Sequence, residues 1–251
     1  MIFKRKRRAL AARPAKPGLG FVVEPQPDDV TCGPACLHGI YRFYGDTVTL
    51  KSVIADTRML DRGGTLDVFL ANHALARGYD ATLFTYNLDL FDPTWFDLPN
   101  DEIRVRLKAQ AKQKQWRRIQ SATRGYDEFL RLGGKLKLRD LEPALIRKFL
   151  SRRTPLITGL SATYLYRATR EIGETNVDDD IRGEPVGHFV VLTGYRRGTR
   201  EILIADPLAS NPLSSSRYYA VNVQRLIGAI LHGIMTYDAN LLVIEPKAST
   251  G

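Results

Sequence analysis

Cysteine is scarce in this chain: two residues in 251, Cys32 and Cys36. Two cysteines four positions apart cannot frame a disulfide-built fold, so an apolar core has to hold the chain together. Long apolar runs are missing too. No stretch approaches the roughly 18 to 20 residues that a membrane-crossing helix needs, so no integral membrane segment is expected. The opening "MIFKRKRRALAARPAKPGLG" begins positively, but its apolar piece is only "ALAA". An export signal needs about 7 to 15 apolar residues there. A cytoplasmic, reducing setting is therefore expected, in which a cysteine is catalytic, metal-binding or structural rather than bridged. Internal repeats and low-complexity tracts are absent.

Histidine is also sparse, with four residues at His38, His73, His188 and His232, which shortens the search for a base or a metal ligand. Cys32, Cys36 and His38 form a Cys-x3-Cys-x-His pattern with no second ligand pair. That is a poor zinc pattern, so neither a metal nor a cofactor is expected.

What is present is ordinary for a globular protein: 44% hydrophobic and 25% charged residues. The length suits one large domain with an insertion. Net charge is +10, with five positive residues in the first eight and more between Arg104 and Arg124. Basic patches attract nucleic acid or anionic membrane surfaces. Here no nucleic-acid motif and no interleaved aromatics accompany them. The expected reading is a solvated basic arm and a solvated helix face, with no nucleic-acid partner.

Along the chain, residues 1–20 read as a flexible basic arm, with Pro14, Pro17, Gly18 and Gly20 set against order. Residues 21–247 read as a single domain. "FVVEPQ" suggests a short edge strand. A helix follows Cys32, opened by Gly33 and Pro34 and closed by Gly45. "TLKSVIADTRM" and "GGTLDVFLANHALARG" predict two more helices, the latter with Thr65 as N-cap and Gly78 at its end. "YDATLFTYN" is a strand. Residues 89–140 read as a helical insertion or cap. "DLEPALIRKFLSRR" is a helix capped by Asp140. From residue 154 the period becomes that of strands: "TPLITGLSATYLY", "GHFVVLTGYRRGTREILIADP", "RYYAVNV" and "NLLVIEP", with "QRLIGAIL" helical between them. Helices first and strands last argue for an α+β fold.

Cys32 stands at the mouth of the first helix, where backbone N–H groups and the helix dipole favour negative charge. That position suits a nucleophile, although free cysteine is also among the most buried residue types. His38 and His73 lie within helices, and His232 follows an apolar helix end. His188 instead opens an apolar strand. A hairpin turn centred on Arg197 would set Val190 opposite Ile204, Leu192 opposite Ile202 and His188 opposite Asp206, on one face. An acid beside a histidine orients the ring and supports its charged form. Cys32, His188 and Asp206 then read as nucleophile, base and orienting acid. Gln26 and the Cys32 backbone N–H are candidate oxyanion donors. Cys36, one turn along the helix, reads as core.

The ordered set "Q-x5-C-G-P-A-C-L…YG", "GHFVVLTGY" and "ADP" resembles the C39-like cysteine peptidases of the papain-like superfamily, over roughly residues 21–80 and 154–210. The resemblance implies a papain-like α+β fold, with N-terminal helices packed on a C-terminal antiparallel sheet. It implies Cys32 as nucleophile, His188 as general base, Asp206 as its partner and Gln26 in the oxyanion hole. It makes the expected partner a peptide or protein substrate. Two departures stand out. Thr31 occupies a position that is often Asp in the family, and no membrane or ATPase segment accompanies the domain, so the exporter role of the best-known members does not carry over. The candidate substrate-binding residues are Gly33 and Gly187, beside the nucleophile and the base, and Asp179 and Asp180, in the acidic loop leading to His188. Two other functions use the same residues: an acyltransferase with the same Cys–His–Asp site, and a peptide-binding module without turnover.

Overall fold

The computed structural model describes residues 15–16, 18–61, 63–173, 175–236 and 239–247. Most of the expected basic arm lies outside them. Its last part, however, is packed: Gly18 is buried against the Thr193 carbonyl, where a Cβ would collide.

The first half supplies helices α1 (Cys32–Phe43), α2 (Leu50–Asp56) and α3 (Asp67–Ala76), then strand β1 (Tyr79–Thr85). Helices α4 (Asn100–Gln113) and α5 (Arg117–Arg131) follow, then the short β2 (Lys135–Lys137) and α6 (Pro143–Ser151). The second half runs β3 (Leu156–Ser161), α7 (Ala162–Tyr166), β4 (Glu171–Ile172), β5 (Val177–Asp178), β6 (Gly187–Arg196), β7 (Glu201–Ala205), β8 (Tyr218–Asn222), α8 (Val223–Leu231) and β9 (Asn240–Pro246). Seven strands form one sheet in the order β2-β1-β9-β3-β6-β7-β8. Every neighbouring pair is antiparallel except β1 with β2.

Both faces of the sheet are covered. Alternate residues of β6 divide between them: Phe189 and Val191 join a core with α1, α3, α4 and α5, whereas Val190 and Leu192 join one with α6, α7 and α8. β9 divides in the same way, Leu242 and Ile244 to the first and Leu241 and Val243 to the second. This is why the strands read as nearly continuous apolar runs. The segment 89–140 is part of the first core, through Ile103, Leu107, Tyr126 and Phe129.

Several local expectations change. Residues 21–26 form no strand. "SATYLY" turns from strand into α7, because the Ser161 hydroxyl accepts the Tyr164 N–H and starts a helical turn. Thr65 does not cap α3: its hydroxyl donates to the Arg58 carbonyl, and Leu66 precedes the helix. Glu142, not Asp140, precedes α6.

The β6–β7 register also differs. Next to the turn, Arg196 pairs with Glu201 and Gly194 with Leu203; then a bulge at Thr193 shifts the pairing to Leu192 with Ile204 and Val191 with Ala205. Asp206 is thus diagonal to His188 rather than directly opposite. Without the bulge, the register at the turn would carry His188 and Asp206 to opposite faces, since one residue of slip inverts a strand. The extra residue returns both side chains to one face.

Candidate active site

α1 is almost wholly buried, from Cys32 to Tyr41. Its approach to the sheet depends on small groups. A Cβ on Gly33 would lie 2.5 Å from Thr65 Cγ2. One turn on, the Cys36 thiol donates to the Phe189 carbonyl at 3.4 Å. Burial pushes the Cys36 thiol well up, and Cys32 adds to this. Cys36 is core, and it ties α1 to the residue after His188. Cys32, the first helical residue, has its N–H at a helix end that lacks an intrahelical acceptor. Its exposure is 8%.

The structure brings Cys32, His188 and Asp206 together. His188 Nε2 lies 2.9 Å from Asp206 Oδ1. Cys32 lies close enough to the same imidazole to help raise its pKa. Burial alone would lower the His188 pKa; Asp206 and Cys32 outweigh it and raise it to about 10. Asp206 is completely buried. Burial pushes its carboxyl up, but His188 and two tyrosine hydroxyls bring it below its ordinary value. Oδ2 accepts from Tyr166 at 2.7 Å and Tyr219 at 2.6 Å, and Oδ1 also accepts the Leu208 N–H at 2.9 Å. Four donors keep a desolvated carboxylate ionised. Burial, then the nearby Asp206 charge, pushes both tyrosines well up, so they remain donors.

Gln26 is tethered beside this group: its N–H donates to the Pro207 carbonyl at 3.0 Å, one residue beyond Asp206. One side-chain N–H donates to the Asp28 carbonyl at 2.8 Å, and the amide carries a second. A cavity of about 210 Å³ opens against Cys32. Gly187 and Phe189 form one wall, Gly63, Gly64 and Thr65 another, and Arg118 of α5 reaches it as well. Gly33 does not line the cavity; it is buried behind Thr65. Asp179 and Asp180 do not line it either. Asp179 closes its own loop, accepting the N–H groups of Ile181 and Arg182, and the Asp180 carbonyl accepts from Arg170.

Tyr166, Tyr219 and Arg118 escape the reading of the sequence. The tyrosines sit in apolar stretches that read as core, and Arg118 sits in a run of basic residues that reads as a solvated face. Among the described residues, no group of three or more His, Cys, Asp or Glu side chains is arranged to hold a metal, and no helix is long and apolar enough to cross a membrane.

No family model and no curated protein matches the chain. Solved structures do. The peptidase domain of Streptococcus ComA, a bifunctional ABC transporter involved in quorum sensing, is 14% identical (TM-score 0.44) over 90% of this chain and 99% of that one. A double-glycine-motif protease from an AMS/PCAT transporter, solved with a leader peptide, is 13% identical (TM-score 0.45) over 93% and 97%. A Bacillus anthracis protein designated a C39-like peptidase is 13% identical (TM-score 0.50) over 94% and 100%. The last of these shows that the chain shares the α+β fold of that C39-like peptidase.

Proposed function

We propose that the protein is a cysteine peptidase or amidase acting through a thioester on Cys32. The observation that carries this reading is the buried His188–Asp206 pair beside Cys32, which itself lines a cavity. A raised His188 holds a proton at neutral pH, which suits an imidazolium paired with the Cys32 thiolate. The thiolate attacks the substrate carbonyl carbon, and the carbonyl electrons move onto oxygen. The Cys32 N–H and the Gln26 amide stabilise that oxyanion. On collapse, His188 gives its proton to the departing amine and the acyl group stays on sulfur. Water then attacks the thioester with His188 as base, releasing the acid and restoring the pair. Asp206 stays ionised throughout and fixes the ring. Both thiols are free, the state that a cytoplasmic setting maintains. Arg118 at the cavity wall makes the 89–140 segment a contributor to substrate choice.

The test is a peptide-library digest read by mass spectrometry, comparing the wild type with Cys32→Ala. New termini that appear only with the wild type support the reading. Identical digests, with both proteins folded, overturn it.

A further inference from the structure

The larger cavity is elsewhere. About 640 Å³ opens between α7 and α8, on the sheet face that also carries His188 and Asp206. Ser161, Thr163, Tyr164 and Arg167 line it from the α7 side, and Gln224, Arg225 and His232 from the α8 side. No acidic residue is among its lining residues. Arg225 Nε and Nη2 are buried and have no hydrogen-bond partner among the described residues. Arg225 is half-buried, so two of its three guanidinium nitrogens lose hydration without a partner, which is uncommon unless something outside the chain supplies an acceptor. Arg167 adds a second positive charge, from a left-handed backbone position (φ 53°) that a non-glycine residue adopts at a cost. Burial lowers the Arg225 pKa, and the Arg167 charge lowers it further. Both arginines thus press positive charge on one space. Gln224 and Arg225 lie in the first turn of α8, whose positive dipole end adds to the field. Gly228 lets the Tyr164 ring at the cavity's edge pack against α8: a Cβ there would lie 2.9 Å from it.

We propose that this cavity is a binding site for a phosphate-bearing small molecule, its phosphate held by Arg225 and Arg167. Two adjacent guanidinium groups match a phosphate dianion in charge and in bidentate geometry. The volume exceeds that of a bare phosphate and suits a phosphorylated metabolite. α7 links the site to the Cys32 centre, because its Tyr166 donates to Asp206. The proposal does not depend on Cys32 chemistry.

The test is calorimetric titration at fixed salt with inorganic phosphate, glucose 6-phosphate and AMP. It uses the wild type, Arg225→Met and Arg167→Ala, with melting temperatures read in parallel. The expected result is saturable binding by at least one probe, weakened about tenfold or more in each variant, which is about 1.4 kcal/mol. Arg225→Met should also melt no lower than the wild type without ligand, because it removes an uncompensated charge. Tighter binding of the organic phosphates than of inorganic phosphate identifies a metabolite; equal binding identifies phosphate itself. Failure of all three probes to bind the wild type overturns the proposal, as does binding that survives in Arg167→Ala, whose exposed side chain leaves the fold intact.

Discussion

Replacing Tyr219 with Phe removes one hydroxyl and leaves the ring in place. That hydroxyl donates to Asp206 Oδ2 at 2.6 Å, in a site with no solvent exposure at either residue. A hydrogen bond to a charged acceptor contributes about 1.5–3 kcal/mol, and no water is present to replace it. Asp206 keeps three donors, so the carboxyl rises toward its ordinary range without losing its charge at neutral pH. The sign follows from linkage. The folded pKa of Asp206 is lowered, so its contribution is present above the unfolded value near 3.9 and is lost as pH falls through the folded value. Tyr219→Phe should therefore unfold with about 1.5–3 kcal/mol less stability in urea at pH 7, and the deficit should shrink in strongly acidic buffer as the carboxyl protonates. Urea titrations over a pH series, with the m-value checked for constancy, make the measurement. A deficit below about 0.5 kcal/mol at pH 7 would refute the reasoning, as would one that is the same at every pH, since packing alone is pH-independent.

Deleting Thr193 removes the bulge and should return β6 to the register next to the turn, sending His188 and Asp206 to opposite faces. Thiol labelling at Cys32 should then fall to that of His188→Ala, whereas Thr193→Ala, which keeps the residue count, should label like the wild type; equal labelling of the deletion and the wild type would sink this account of the bulge. Gly33→Ala should destabilise by about 1–3 kcal/mol through overpacking against Thr65 Cγ2. Adding Thr65→Ser, which removes that methyl and keeps the hydroxyl for Arg58, should recover most of the loss in chemical denaturation; a purely additive double variant would show that the clash lies elsewhere.

Much of this site could be read in the sequence because its parts sit at element boundaries. Cys32 follows a turn-rich stretch and opens a helix with Gly33 and Pro34. His188 opens an apolar strand, and Asp206 closes the next one. What could not be read is what depends on tertiary packing. A strand pattern does not reveal where a hairpin turns or bulges: the turn lies later than Arg197, so the expected pairing is three residues out beside it, and the bulge brings this to two at Leu192 and Val191; His188 and Asp206 share a face in either version because two residues of slip preserve parity. "SATYLY" follows directly on the apolar strand "TPLITGL" and reads as its continuation, but the Ser161 hydroxyl caps a helical turn there and starts α7. The expected order of helices then strands also held only in part, because β1 and β2 come from the first half and α6 to α8 cover the second face. Tyr166 and Tyr219 look like any core aromatic until the fold aims both hydroxyls at one carboxylate.

The most direct test of the central claim is alkylation by iodoacetamide at neutral pH, followed by intact-mass mapping. It compares the wild type, Cys32→Ala, Cys36→Ala and His188→Ala. The account predicts one label on the wild type, placed at Cys32, because Cys36 is fully buried with its thiol pushed well up. Cys36→Ala should label as the wild type does, Cys32→Ala should not label, and His188→Ala should label at least about tenfold more slowly. An inert Cys32, or one that reacts at the same rate without His188, would contradict the claim that these two residues form a nucleophilic pair.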